Sequence, residues 1–239
     1  MKDFFRTVIL YLGYIVHHNK DSKVIYYHDI STEYTEMGTD WSLFRDHIGI
    51  LKKEGYNIVD KIRKKEGEIQ ICFDDGWEGL YQYKEEIVRM GVIPTVFVAV
   101  DLIGSDGHLT LKQIKEMQEM GYRFQGHTWS HNDLTTMDEK DIVHEIVDSK
   151  AELSRLLDSN VDELCFPCGR FSDKIVEIAR TAHYSKLYTS LNGSFLTITK
   201  DGLICRQLCQ SLSRKQFRFS VCGFSNYLFK RALRHHKIK

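Results

Sequence analysis

The sequence predicts one α/β domain whose parallel strands close into a barrel of about seven strand–helix units. Three observations predict it. Short apolar or β-branched runs alternate with helical stretches along most of the chain, as βαβ units require. Three times a helical stretch ends on glycine and runs directly into a strand, in EGYNIV, MGVIPTVFV and MGYRFQ, where Gly supplies the left-handed stop. The residues able to do chemistry stand immediately behind predicted strands, which is where a barrel displays its site.

Taken in order, Val24 to Tyr27 is the first strand-like run. Asp40 can cap a helix over Trp41 to Glu54, with Phe44, Ile48 and Leu51 on one face and Gly55 as its stop. Ile69 to Phe73 is a strand, followed by a helix over Leu80 to Met90 that ends at Gly91. Thr95 to Val100 is a near-continuous apolar strand. Leu111, Ile114, Met117 and Met120 recur at helical spacing before Gly121, and Tyr122 to Gln125 follows as a strand. Thr136 and Glu139 form a capping box for a long helix reaching Leu157. The strand Leu164 to Phe166, a helix from Asp173 and the strand Lys186 to Thr189 continue the alternation. His183 occupies a helix-stop position and reads as structural.

At 239 residues and 42% hydrophobic, the chain can bury one generous core. Lys+Arg and Asp+Glu are equal at 33, so net charge gives no reason to expect nucleic acid or an acidic partner. No Pro-, Gly- or Ser-rich linker and no repeat divides it. The six cysteines (Cys72, Cys165, Cys168, Cys205, Cys209 and Cys222) are too sparse for a disulfide scaffold. Cys72 and Cys165 stand inside apolar runs, as buried free thiols of a reducing compartment do. Val8 to Val16 is an apolar run behind Lys2 and Arg6. It is too short to span a bilayer and lacks a small-residue cleavage site. It reads as a helix that packs on the domain or lies on a membrane surface. The C-terminal stretch mixes Phe229 and Leu233 with Lys230, Arg231, Arg234 and Lys237. This fits a solvated terminal helix or peripheral contact with an anionic membrane. The expected organisation is an apolar and basic segment over 1–20, the barrel over 21–210 and a basic tail over 211–239.

Four constellations carry chemistry. Asp74-Asp75-Gly76 follows IQICF. Adjacent carboxylates at a strand end point in different directions, so one can bind metal while the other meets substrate; the competing reading is a solvated Asp-Gly turn. His127-Thr128-Trp129-Ser130-His131 follows YRFQ and Gly126. Two histidines four apart share a face if the segment turns helical, and with one carboxylate they leave open positions on a catalytic metal; isolated, such a pair is often surface polarity. Cys165-Phe166-Pro167-Cys168-Gly169 contains a CxxC, but no second CxxC stands at a useful spacing. It reads better as a loop that lends backbone N–H groups to the site than as a zinc or redox motif. Tyr26-Tyr27-His28-Asp29 ends the first strand, which places His28 on the same rim.

Together these residues resemble the polysaccharide deacetylase family, also called the NodB-homology or carbohydrate esterase family 4 domain, over roughly residues 23 to 206. CFDDGW is similar to its first motif, HTWSH to its His-Ser/Thr-x-x-His motif, and CFPCG to the Pro and Gly of its third. The resemblance implies a distorted TIM-like barrel and removal of N-acetyl groups from an amino sugar in a glycan or glycan precursor. It implies Asp74 as base and Asp75, His127 and His131 as ligands of a divalent metal, Zn²⁺ first, with Co²⁺, Ni²⁺ or Mn²⁺ as alternatives. Pro167, Cys168, Gly169 and Trp129 are the expected substrate and oxyanion contacts; Trp129, Trp77 and Phe171 offer faces for sugar stacking, with core packing an equal alternative for each. Two departures stand out. The third motif commonly begins with an Arg that orients the base, where this chain has Cys165. The late motif that usually supplies the acid histidine is replaced by ICRQLC with Arg206. One branch, which deacetylates poly-N-acetylglucosamine, opens on a Tyr-His strand whose His is the acid; Tyr27-His28 matches it, so His28 is the expected acid.

Three competing functions remain open at this stage: an O-acetyl esterase on a carbohydrate, a catalytically inactive carbohydrate-binding barrel, and an interaction module built on a cysteine-bound zinc. The expected location is cytoplasmic, membrane association and export remaining alternatives; a processed N-terminus would overturn it.

Overall fold

In a computed structural model, residues 2–32, 37–195 and 202–223 are described, and they form the expected barrel. Its seven strands, numbered in chain order, are β1 (Lys23–Tyr27), β2 (Glu68–Phe73), β3 (Thr95–Val98), β4 (Arg123–Gly126), β5 (Glu163–Cys165), β6 (Lys186–Tyr188) and β7 (Arg206–Leu208). Each pairs in parallel with its sequence neighbour from β1 to β6, and β7 returns to pair with β1. Closure comes from the residues before β7: Thr189 N–H donates to Ile204 O at 3.0 Å and Ile204 N–H to Leu187 O at 2.8 Å. Parallel pairing round the wall brings every strand's C-terminal end to one rim.

β1, β2 and β3 are buried along their whole length, so apolar residues occupy both faces of the wall. Val24, Tyr26, Cys72, Phe97, Cys165 and Tyr188 fill the barrel interior, while Ile25, Tyr27, Ile71 and Phe73 point outward beneath the helices. Near the strand starts, buried Glu163 accepts from Arg123 at 2.7 Å and from the Tyr188 hydroxyl at 2.8 Å. This pairing satisfies a charge that burial would otherwise penalise.

The helices are α1 (Lys2–Val16), α2 (Trp41–Lys53), α3 (Gly79–Gln82), α4 (Lys84–Arg89), α5 (Leu111–Glu119), α6 (Glu139–Val143), α7 (Ser149–Leu157), α8 (Asp173–Thr181) and α9 (Arg214–Val221). Asp40 caps α2 as expected, accepting from Leu43 N–H at 3.1 Å, and Phe44, Ile48 and Leu51 are its buried face. Gly55, Gly91 and Gly121 all take positive φ at helix stops, and so does His183 (φ 60°). Two expectations are corrected. Asp138, not Thr136, caps the long helical stretch, accepting from Asp141 N–H at 3.0 Å, while Thr136 closes a 3₁₀ turn. The helix expected over Leu80 to Met90 breaks at Tyr83, which leaves helical geometry (φ −109°). The N-terminal run is helical and packs on α9, where Tyr11 and Tyr14 each meet the Phe219 ring at 5.2 Å. The expectations for Phe229 to Lys237 fall outside the described residues.

His47 on α2 ties this layer together. Its Nε2–H donates to Leu212 O at 2.9 Å, its Nδ1 accepts from the Tyr27 hydroxyl at 3.0 Å, and its ring stacks on Phe217. Burial lowers its pKa from 6.5 to about 4, because charging it would desolvate a cation. The neutral form is full above pH 6.5, so its stabilisation is lost as pH falls from there towards 4, a cost of roughly 3 kcal/mol. Denaturant unfolding across that range should therefore show a steeper acid loss for the wild type than for His47→Gln; equal slopes would refute the assignment.

Candidate active site and metal centre

The rim residues converge on a cavity of about 310 Å³ lined by Tyr26, His28, Asp74, Asp75, His127 and His131, with Phe166, Cys168 and Ser190 among its further walls. Every lining residue except Met37 lies on a barrel strand near its C-terminal end or within a few residues past it. This is the placement that strand polarity dictates.

Asp75 Oδ1 is 3.3 Å from His127 Nε2 and 3.1 Å from His131 Nε2. That oxygen is buried and has no hydrogen-bond partner among the described residues. The tautomers argue further. His127 Nδ1 is 2.7 Å from the Cys165 carbonyl, which can only accept, so Nδ1 carries the proton and Nε2 presents a lone pair. An orphaned carboxylate oxygen facing a lone-pair nitrogen is a poor hydrogen-bond arrangement and a good cation donor set. The other Asp75 oxygen accepts from Trp77 Nε1 at 3.1 Å, which fixes the carboxylate plane.

The histidine loop reaches this geometry differently from the helical expectation. Residues 127–133 form no helix; Thr128 (φ 70°) and His131 (φ 61°) take left-handed backbone conformations that bring both rings to one point. Glu145 holds the loop in that shape. Its carboxylate accepts from Trp129 N–H and Ser130 N–H, both at 2.9 Å, and from the Ser130 hydroxyl at 2.5 Å. Glu145 comes from a π-helical turn (His144–Asp148) between α6 and α7, a widening that often accompanies functional sites.

Asp74 is fully engaged from behind. Arg206 on β7 forks onto it, Nη1 to Oδ1 and Nη2 to Oδ2, both at 2.7 Å. Burial pulls the Asp74 pKa up, but the guanidinium pulls harder and keeps the carboxyl below its usual range. Arg206 has no exposure. Its Nε donates to Thr189 O at 3.1 Å, its plane lies 4.1 Å over the Tyr26 ring, and Nη2 is 2.9 Å from Cys165 Sγ. The cation missing at position 165 is thus delivered to the same place from another strand. A second cluster, Asp74, His127 and Cys165, also has close donor atoms. It is the poorer cation site: the Asp74 oxygens are taken, burial keeps the Cys165 thiol protonated, and a guanidinium sits against the sulfur.

His28 lines the cavity, and its Nδ1 bonds Gln210 Oε1 at 2.5 Å. At the third motif, Cys168 (φ 56°) and Gly169 (φ 65°) reverse the chain. A side chain on Gly169 would meet the Ser190 Cβ at 2.5 Å, so glycine is required there. Pro167 is buried, while Cys168 reaches the cavity. The Trp129 ring packs on His144 at 4.6 Å, and Trp77 stacks on His108 at 4.3 Å. Phe171 is fully buried, so of its two expected roles it takes core packing. Neither group of metal-competent side chains found among the described residues includes Cys168, so the CxxC builds no zinc cluster there.

A parallel barrel with carboxylates and imidazoles gathered at its strand ends is the architecture of the polysaccharide deacetylase class. Residues 61–187 match the family model described as polysaccharide deacetylase, and the chain belongs to that family. It is 26% identical over 182 residues to YxkH of Bacillus subtilis strain 168, a protein named for polysaccharide deacetylation, with 72% of this chain and 65% of that one covered. The chain therefore spans just under two thirds of that curated relative. Among solved structures it is similar to the Streptococcus pyogenes deacetylase PplD (TM-score 0.75, 24% identity, 85% of this chain and 99% of that one). It is likewise similar to IcaB from Ammonifex degensii (TM-score 0.75, 19% identity, 86% and 99%). At these identities the structural likenesses establish the fold. The family model thus places the chain among the polysaccharide deacetylases.

Proposed function

We propose that the protein removes N-acetyl groups from an amino sugar within a glycan or glycan precursor, using a divalent cation, Zn²⁺ by preference, held by Asp75, His127 and His131. The observation that carries this reading is the buried, unpartnered Asp75 Oδ1 facing two imidazole nitrogens at 3.1 and 3.3 Å, with Asp74 and His28 lining the same cavity. A cation bound there supplies Lewis-acid polarisation of the acetyl carbonyl and lowers the pKa of a bound water. The chain's own groups do the rest. Asp74, held ionised by Arg206, keeps lone pairs beyond the two used by the fork and accepts the proton of the water that adds to the carbonyl carbon. The N–H of Cys168 stands at a left-handed turn at the cavity wall and supports the developing oxyanion. With Gln210 accepting from Nδ1, His28 passes its proton from Nε2 to the leaving nitrogen. Acetate and a free amine result.

The test is acetate release from N-acetylglucosamine oligomers, with and without added Zn²⁺. Release that needs the metal, and that falls about 100-fold or more in Asp74→Asn, is the expected outcome. Unchanged release by Asp74→Asn would remove Asp74 as base. No release by a wild type that binds one equivalent of metal would turn the search to another acetylated sugar.

A further inference from the structure

Eight of the eleven large apolar side chains exposed among the described residues lie on one helix, α1. The inner face of α1 is accounted for: Leu10 and Tyr14 pack on the core, and Gln216 Nε2 of α9 donates to the Thr7 hydroxyl at 2.9 Å. The outer face is not. Phe5, Val8, Ile9, Leu12, Ile15 and Val16 form a continuous stripe at helical spacing, Ile9 being 50% and Val16 69% exposed. No described helix is long and apolar enough to cross a membrane, so a stripe of this kind suits a helix lying in the plane of an interface.

Charge selects among occupants. Residues 211–239 hold eight Lys or Arg and no Asp or Glu, in a chain whose totals are equal at 33. This basic stretch begins in the helix on which α1 rests: Lys215 of α9 is exposed, while Arg214 pairs with Asp46 and Arg218 with Glu54. Gly223, which the rest of the basic stretch follows in sequence, lies against the α1 backbone, the Tyr14 Cα being 2.8 Å from the site of a Gly223 side chain. The apolar stripe and the last described residue before the basic run therefore meet at one edge. A second copy of the chain would set two such basic edges against each other.

We propose that this edge docks on the surface of a bilayer rich in anionic lipid, with the apolar face of α1 inserted among the headgroups and the basic C-terminal stretch alongside. The orientation has a consequence. Arg6 Nη1 donates to Ser211 Oγ at 3.3 Å, next to the Gln210 that holds His28, while the other end of α1 leads to Asn19, whose N–H donates to Cys222 O. The helix thus runs along the barrel wall from strand starts to the catalytic rim, and the docked barrel lies on its side.

The test uses the full chain in flotation with vesicles of phosphatidylcholine alone or mixed with phosphatidylglycerol. Binding should require the anionic lipid and weaken with salt. The double variant Ile9→Glu, Leu12→Glu should lose about tenfold or more. Lys230→Gln, Arg231→Gln, Arg234→Gln should weaken binding to anionic vesicles. Circular dichroism and acetate release from soluble oligomers should stay unchanged in both, since neither touches the cavity. Equal flotation of wild type and the α1 variant would overturn the proposal. So would a lipid-free dimer, seen by light scattering, that the α1 variant dissociates, because the stripe would then belong to a second copy.

Discussion

Arg206→Met is expected to lower the unfolding free energy by about 3–5 kcal/mol and to cut acetate release at least about 100-fold. The reason is the state in which it leaves Asp74. The carboxylate is 3% exposed and both its oxygens are held by the Arg206 fork. Without the guanidinium it must either stay charged in a low-dielectric interior or take up a proton, and a protonated Asp74 cannot act as base. A double-mutant cycle separates the two effects. Adding Asp74→Asn to Arg206→Met removes the stranded charge, so stability should recover towards wild type while activity stays lost. Urea unfolding and acetate assays of the four proteins measure the cycle. A single Arg206→Met that keeps both stability and activity would show that the ion pair does not govern Asp74.

That pair also marks where the sequence stops being legible. CFDDGW, HTWSH and CFPCG can be read because each is local and each follows a strand, so the barrel's polarity assigns all of them to one rim. Arg206 is not local. It stands in a short apolar stretch, 132 residues from Asp74, and only closure of the wall by β7 brings them together. The signal was nonetheless present: an Asp in a buried position requires a cation, Cys165 cannot be one, and an Arg inside an apolar strand needs a reason. Gln210 and Glu145 gave less warning. Gln210 acts through a turn after β7, and Glu145 lies within the long helical stretch, in a π-helical turn from which it reaches the histidine loop.

The corrections to local structure have one cause. Pattern reading favours regular elements, whereas the site is built from irregular ones. Asp75, Thr128, His131 and Cys168 all take positive φ without being glycine, a conformation costly for ordinary side chains and held only by the surrounding contacts. The helical condition placed on His127 to His131 is not met, yet both rings face Asp75, since a loop with two left-handed residues brings them together as well. The fold itself stayed legible because it depends on repeated strands and glycine stops rather than on any single turn.

His28→Gln is the second large effect, and it discriminates between amide and ester chemistry. An amine leaving group must be protonated as the C–N bond breaks, whereas an alcohol departs more readily and needs the acid less. If His28 is the acid, the variant should lose roughly 10²- to 10⁴-fold on N-acetylated oligomers and far less on an acetate ester such as 4-nitrophenyl acetate. Metal content, measured on the same preparations, should not change, because Asp75, His127 and His131 form the donor cluster without it. Gln210 refines the expectation. Its amide oxygen accepts from Nδ1, so it fixes the ring's orientation without adding a negative charge. Gln210→Glu would add that charge, stabilise the imidazolium and move the alkaline limb of the amide pH profile upward. Equal losses on amide and ester would remove His28 as proton donor and leave it a wall of the cavity. A pH profile unmoved by Gln210→Glu would place the titrating group elsewhere.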